Sequence, residues 1–172
     1  MLALLDAIYG TWFWPDRAFA ALKARPLIWQ AGLVVIVLNA ADWGRRNGMN
    51  AAGIALSAIL GLMGWVVVVA LLRLLAFSMG RDPQLNELLT LTAFGGLPWL
   101  FVAPAQQFGG AIGTILGLLA LAWFTILEIK ATAIALDLPW WRTIWLIPMA
   151  FLAGFLAIAW SASFVGVLAS LN

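Results

Sequence analysis

The sequence predicts an all-α integral membrane protein: a bundle of five transmembrane helices preceded by an amphipathic segment at the membrane surface. Two observations predict it. Residues 26–172 hold five long apolar segments separated by short joints that carry nearly all the charge. The chain is 65% hydrophobic and 9% charged, where a soluble domain has about 25% charged residues. A soluble fold of 172 residues has no interior large enough for this apolar surface. A bilayer solvates the outer face of each helix, and a helix satisfies its own backbone there. No separate soluble domain is expected.

Residues 1–25 read as the interfacial segment. Leu4, Leu5, Ile8 and Trp12 share one helical face, with Asp6 and Tyr9 away from it. Pro15 suits the first turn of a second short helix, 16–24, which sets Phe19 and Leu22 beside Arg17 and Lys23. A signal peptide is not expected, since Asp6 interrupts the early apolar run and no small-residue cleavage site follows.

The membrane domain, 26–172, divides into spans at about 27–41, 51–76, 88–105, 109–135 and 144–171. The joints are DWGRRNGMN, GRDPQLNE, the residues near 106–108, and LDLPWWRT. The third segment is the weakest, interrupted by Gly95, Gly96, Pro98 and Pro104. Five crossings with a cytoplasmic N-terminus and an outer C-terminus place Arg17, Lys23, Arg25, Arg73, Arg81, Lys130 and Arg142 inside, and only Arg45 and Arg46 outside. That bias follows the positive-inside rule, and it nearly vanishes if the third segment fails to cross.

Three constellations are candidates for function. Arg73, Glu128 and Lys130 lie in the last turns of the second and fourth spans, so a polar cluster is expected on the cytoplasmic side. Arg73 is expected to pair with Glu128 at matching depth, and Lys130 to reach the headgroups. The alternative for all three is snorkelling, with no ligand. Gly95, Gly96 and Pro98 form a candidate helix break, because proline removes a backbone donor and clashes with the carbonyl four residues earlier. Such breaks line sites in transporters, and they also serve simply as packing kinks. Gly109, Gly113 and Gly117 stand four apart, a spacing that lets helices approach closely. Their partner is either another span or a second copy of the chain.

The sequence holds eleven tryptophans. Trp12, Trp14, Trp29, Trp140, Trp141 and Trp145 fall where a cytoplasmic aromatic belt is expected, whereas Trp65 and Trp160 fall nearer mid-span. Cysteine and histidine are absent. A thiolate nucleophile, a Ser-His dyad and histidine metal ligation are thereby excluded. No acidic pair stands at metal-ligand spacing and no phosphate-cradling glycine loop occurs, so no catalytic residue, cofactor or metal is expected.

Three stretches resemble one family. They are WPDRAFAALKARP before the first span, LLAFSMGRDPQLNELLTLTAFGGLPWLFVAP around the third, and EIKATAIALDLPWWRTIWLIP leading into the last. Together they resemble the short bacterial branch of the Yip family, the five-span relatives of Rab-interacting proteins. The resemblance implies five helices, a cytoplasmic N-terminus and a bacterial cytoplasmic membrane. Eukaryotic relatives are associated with Rab GTPases and vesicle traffic and carry a long polar N-terminal region that these residues do not include. The resemblance supplies no reaction. The expected function is therefore non-enzymatic action through helix and lipid contacts, as a membrane organiser, scaffold or accessory subunit. Membrane lipids, other membrane proteins or further copies of the chain are the expected partners, and nucleic acid is not. The competing reading is a small transporter or lipid-handling protein built on the polar cluster and the broken third span.

Overall fold

The computed structural model describes residues 2–48, 50–150 and 152. Its elements are α1 (Leu2–Phe13), α2 (Pro15–Ala24), α3 (Ile28–Asn47), α4 (Ala51–Ser78), α5 (Leu85–Gly95), a 3₁₀ turn (Leu97–Phe101), α6 (Val102–Gln107) and α7 (Gly110–Leu136). Residues 140–150 are helical as well. No strand occurs among the described residues. The fifth span expected at 144–171 falls largely outside them, as does Trp160.

The N-terminal segment forms two helices, as Pro15 leads one to expect. Proline tolerates the first turn of α2 because its missing N–H would be unpaired there in any case. The two helices fold back on each other around Trp14, so that a Cβ on Gly10 would lie 3.1 Å from the Cβ of Ala18. They do not simply float on the bundle. Phe19 and Leu22 are buried in the common core, and Leu4, Ala7, Ile8 and Trp12 pack against it. Leu5 departs from the expected face: it lies with Tyr9 and Phe13, one turn apart each, on an exposed apolar stripe.

α3 runs farther than the apolar stretch alone predicts. The joint 42–50 was expected as a turn, yet the helix continues to Asn47. Asp42 accepts from Arg45 at 2.6 Å and from Arg46 at 2.8 Å, at i+3 and i+4, which are neighbouring positions on a helix. The two arginines also complement the partial negative charge of the helix C-terminus. Partial burial pushes the Asp42 carboxyl up, but the bonds and charges of both arginines outweigh it and hold it below its ordinary value of 3.8. The chain turns at Gly48, with φ +78°, and the Asn50 side chain caps α4 by accepting from Ala52.

α3 and α4 form an antiparallel hairpin through a stripe of small residues. Gly53 faces the indole of Trp43, Gly61 faces the Asn39 amide, and Ser57 between them donates to the Asn39 carbonyl at 3.1 Å. A side chain at either glycine would collide with its neighbour. The four-residue spacing of Gly53, Ser57 and Gly61 is the same signal as that of Gly109, Gly113 and Gly117.

α5 is the axis of the fold. Residues 90–98 are all buried, enclosed by α2, α3, α4 and α7. The helix ends at Gly95, and the chain continues as a 3₁₀ turn in which Trp99 N–H bonds to the Gly96 carbonyl at 3.0 Å. Trp65 of α4 donates its indole N–H to Thr92 at 2.9 Å, and Thr92 donates to the Leu88 carbonyl at 2.7 Å. That bond explains a tryptophan placed mid-span. α4 and α7 end alike, each with a 6→1 and a 5→2 bond around a left-handed residue. Gly80 takes that position after α4, with φ +73°. Asp137 takes it after α7, with φ +50°.

Three stretches are long and apolar enough to cross a membrane: Ala51–Ser78, Leu85–Gln107 and Gly110–Leu136. Large apolar side chains cover the outside of α4 and α7. Ile59, Met63, Ile112 and Leu119 are each more than half exposed. A lipid phase is the solvent that suits such a surface.

Candidate functional site

A group of charged side chains gathers where α4 and α7 end and α5 begins. Two ion pairs fasten α2 there. Lys130 of α7 reaches Asp16 at 2.6 Å, and Lys23 reaches Asp137 at 2.6 Å. The partners are seven residues apart on each helix, so α2 lies parallel to the last two turns of α7. Lys23 also donates to the Ile134 carbonyl at 2.8 Å, one of the groups that a helix C-terminus leaves without an internal partner. Both aspartates are largely exposed, so each pair contributes on the order of 0.5 kcal/mol. Most of the attachment comes from Phe19 and Leu22, which are 0% and 4% exposed.

This arrangement corrects the expected polar cluster. Arg73 does not meet Glu128. It bonds to Asp82 at 3.2 Å and lies 5.1 Å from the ring centre of Phe77. The reason is topological: α5 stands between α4 and α7 and keeps the two side chains apart. Lys130 turns to Asp16 instead of standing free for headgroups. Arg73→Leu and Glu128→Leu should therefore have additive effects on thermal unfolding in detergent. A coupling above about 0.5 kcal/mol would contradict the placement.

Glu128 has a different neighbour. Its carboxyl lies against the broken end of α5, where a Cβ on Gly95 would sit 3.2 Å from Glu128 Cδ and Oε1. A Cβ on Gly96 would sit 3.8 Å from the same oxygen. Among the described residues no cation lies within ion-pair distance of Glu128, and residues 151–172 contain no lysine or arginine. Two of the sequence candidates, the helix break and this carboxylate, thus form one feature. The missing side chains at 95 and 96 make the room that Glu128 fills. Pro98 is buried just beyond.

The glycine stripe of α7 separates into three roles. Gly109, with φ +62°, makes the turn into the helix. Gly113 packs on α6 of the same chain, where a Cβ would lie 2.9 Å from the Ala105 carbonyl oxygen. Gly117 lines a groove of about 430 Å³ beside Trp99 and Leu121. A second cavity of about 340 Å³ opens at the charged end, between Lys23, Arg81, Glu87 and Asp137. Neither is lined by Gly95, Gly96 or Glu128. No group of three or more metal-ligating side chains occurs among the described residues.

Sequence reasoning missed the contacts of Lys23. Asp16 and Lys23 stand seven apart, as do Lys130 and Asp137, with the signs reversed. That pattern was visible, but nothing local says that the two segments lie side by side.

A chain whose described residues form helices and no strand, with apolar outer faces, is a membrane protein of helical type. A family model, the Yip1 domain, matches residues 9–162, and the chain belongs to the Yip1 family. No curated protein and no solved structure matches it.

Proposed function

We propose that this Yip1-family protein is a five-span, non-enzymatic protein of the bacterial cytoplasmic membrane, with its N-terminus inside and its C-terminus outside, and that it organises the bilayer through lipid contacts. The observation that carries this reading is the N-terminal helix pair. Phe19, Leu22 and two ion pairs hold it against the bundle. Leu5, Tyr9, Phe13 and Trp14 then face outward, each at least half exposed.

The reach of this pair along the bundle gives it an asymmetric effect. At its inner end Trp12 meets Phe101, with ring centres 5.1 Å apart. Trp99, two residues away, meets the Phe124 ring of α7 edge-on. Phe124 precedes Leu136 by twelve residues, or about 18 Å of helix. That is about the depth of one leaflet of a hydrocarbon core ~30 Å thick. The helix pair adds cross-section to the cytoplasmic leaflet and none to the other, so it acts as a wedge. The bias of basic residues supports the orientation.

Reconstitution into liposomes tests the wedge. Wild-type protein should give smaller vesicles than protein carrying Leu5→Ser, Tyr9→Ser and Phe13→Ser, at equal protein-to-lipid ratio and unchanged helicity. Equal diameters would remove the proposal. Reporter fusions after Asn172 and within 137–142 should report opposite sides of the membrane.

A further inference from the structure

The cavity at the charged end contains an unmatched pair of opposite charges. Five ionisable residues line it: Lys23, Arg81, Asp82, Glu87 and Asp137. Lys23 is paired with Asp137 at 2.6 Å, and Asp82 with Arg73 at 3.2 Å. Arg81 and Glu87 are left. Neither has an ion-pair partner among the described residues, and they do not reach each other. The cavity thus offers one guanidinium and one carboxylate, held apart, on a wall whose other charges are neutralised. Its remaining surface includes Ala135 and Leu136 at the end of α7 and the peptide backbone at Gly80.

We infer that this cavity binds a phosphoethanolamine group, a phosphate anion joined by two carbons to a primary ammonium. The inference rests on the reading above that the protein works through lipid contact, and it names which headgroup. A phosphate presents two oxygens to the planar fork of Arg81, which can donate to both. A primary ammonium donates up to three hydrogen bonds, and Glu87 accepts from it. The cavity, about 340 Å³, lies at the lower end of the range for small-ligand sites. It also lies at headgroup level. Two helices long and apolar enough to cross a membrane end beside it, at Ser78 and Leu136.

The same chemistry disfavours the other common headgroups. A trimethylammonium group has no N–H to give to Glu87, and such groups are held by aromatic cages. None of the residues lining this cavity is aromatic. A glycerol headgroup carries no cation, so it would leave Glu87 unpaired beside the bound phosphate.

The test uses the full chain in detergent, titrated with phosphatidylethanolamine, phosphatidylcholine and phosphatidylglycerol of identical acyl chains, with lipid retention read by native mass spectrometry. Phosphatidylethanolamine should be retained about tenfold better than either of the others, the ratio that one well-made charged bond supports. Glu87→Gln should reduce that preference about fivefold or more, and Arg81→Gln should lower retention of all three lipids about fivefold or more because each carries the phosphate, both with helicity unchanged; Arg142→Gln, outside the cavity, should leave both intact. Equal retention of the three lipids, or an unaltered preference in Glu87→Gln, would overturn the inference. Soluble glycerophosphoethanolamine tells the two sources of this group apart. Its displacing the lipid assigns the site to the headgroup alone, and its failure beside a selectively retained lipid assigns it to the intact phospholipid. Loss of headgroup preference with vesicle reshaping intact would remove this inference and leave the wedge standing.

Discussion

Gly95→Leu should lower stability by about 3 kcal/mol, the upper part of the range for overpacking a filled core. Gly95 is buried at the end of α5, and a Cβ there already stands 3.2 Å from the Glu128 carboxyl and 3.3 Å from the Ala131 Cβ. Three further carbons have no space between α5 and α7. The carboxyl can swing aside, but only by giving up the one gap that accommodates it, and the Ala131 Cβ is fixed to the helix. Thermal unfolding in detergent, followed by helicity, measures the loss. A smaller substitution identifies the neighbour. Gly95→Ala should cost about 1 kcal/mol alone and markedly less in a Glu128→Ala background, because the shortened side chain returns the space. Equal costs in both backgrounds would show that Glu128 does not occupy the gap.

Gly113→Leu should be comparably damaging, at about 2–3 kcal/mol. Here the obstacle is backbone: a Cβ would lie 2.9 Å from the carbonyl oxygen of Ala105. A carbonyl cannot rotate away as a side-chain end can, so α6 would have to move as a unit. It is tethered to α7 by a two-residue turn, Phe108–Gly109, and to the 3₁₀ segment before it. Gly64→Leu on the exposed face of α4 is the matching control, since a Cβ there meets no atom within 4 Å. It should cost nothing and gain a few tenths of a kcal/mol from helix propensity. If Gly113→Leu unfolds at the same temperature as the control, the close approach of α6 and α7 is wrong.

These two glycines show where the sequence speaks and where it does not. The break after Gly95 is legible, because glycine and proline act on the backbone within a few residues. So are the limits of α4 and α7, which follow from apolar run length and the turn residues beyond. The end of α3 lies six residues beyond the expected limit because Asp42, Arg45 and Arg46 read as a joint, whereas at i+3 and i+4 both arginines bond to the one carboxylate along a helix face. The stripe Gly53, Ser57 and Gly61 carries the same spacing as Gly109, Gly113 and Gly117, yet it packs more closely. Spacing shows that helices can approach, and it does not show which pair does.

The sequence by itself determined that this protein is helical, lies in a membrane, has no histidine or cysteine chemistry, and breaks its third apolar segment at Gly95. Each of these depends on composition or on neighbours a few residues away. The tertiary structure alone decided the partners of the charges. Arg73 and Glu128 both lie towards the ends of their helices, but those helices are separated by α5, and position along a helix says nothing about rotation around the bundle. Lys23 and Asp137, 114 residues apart, meet only because burying Phe19 and Leu22 brings α2 alongside the end of α7. The apolar contacts set the arrangement, and the charges pair with what that arrangement brings near.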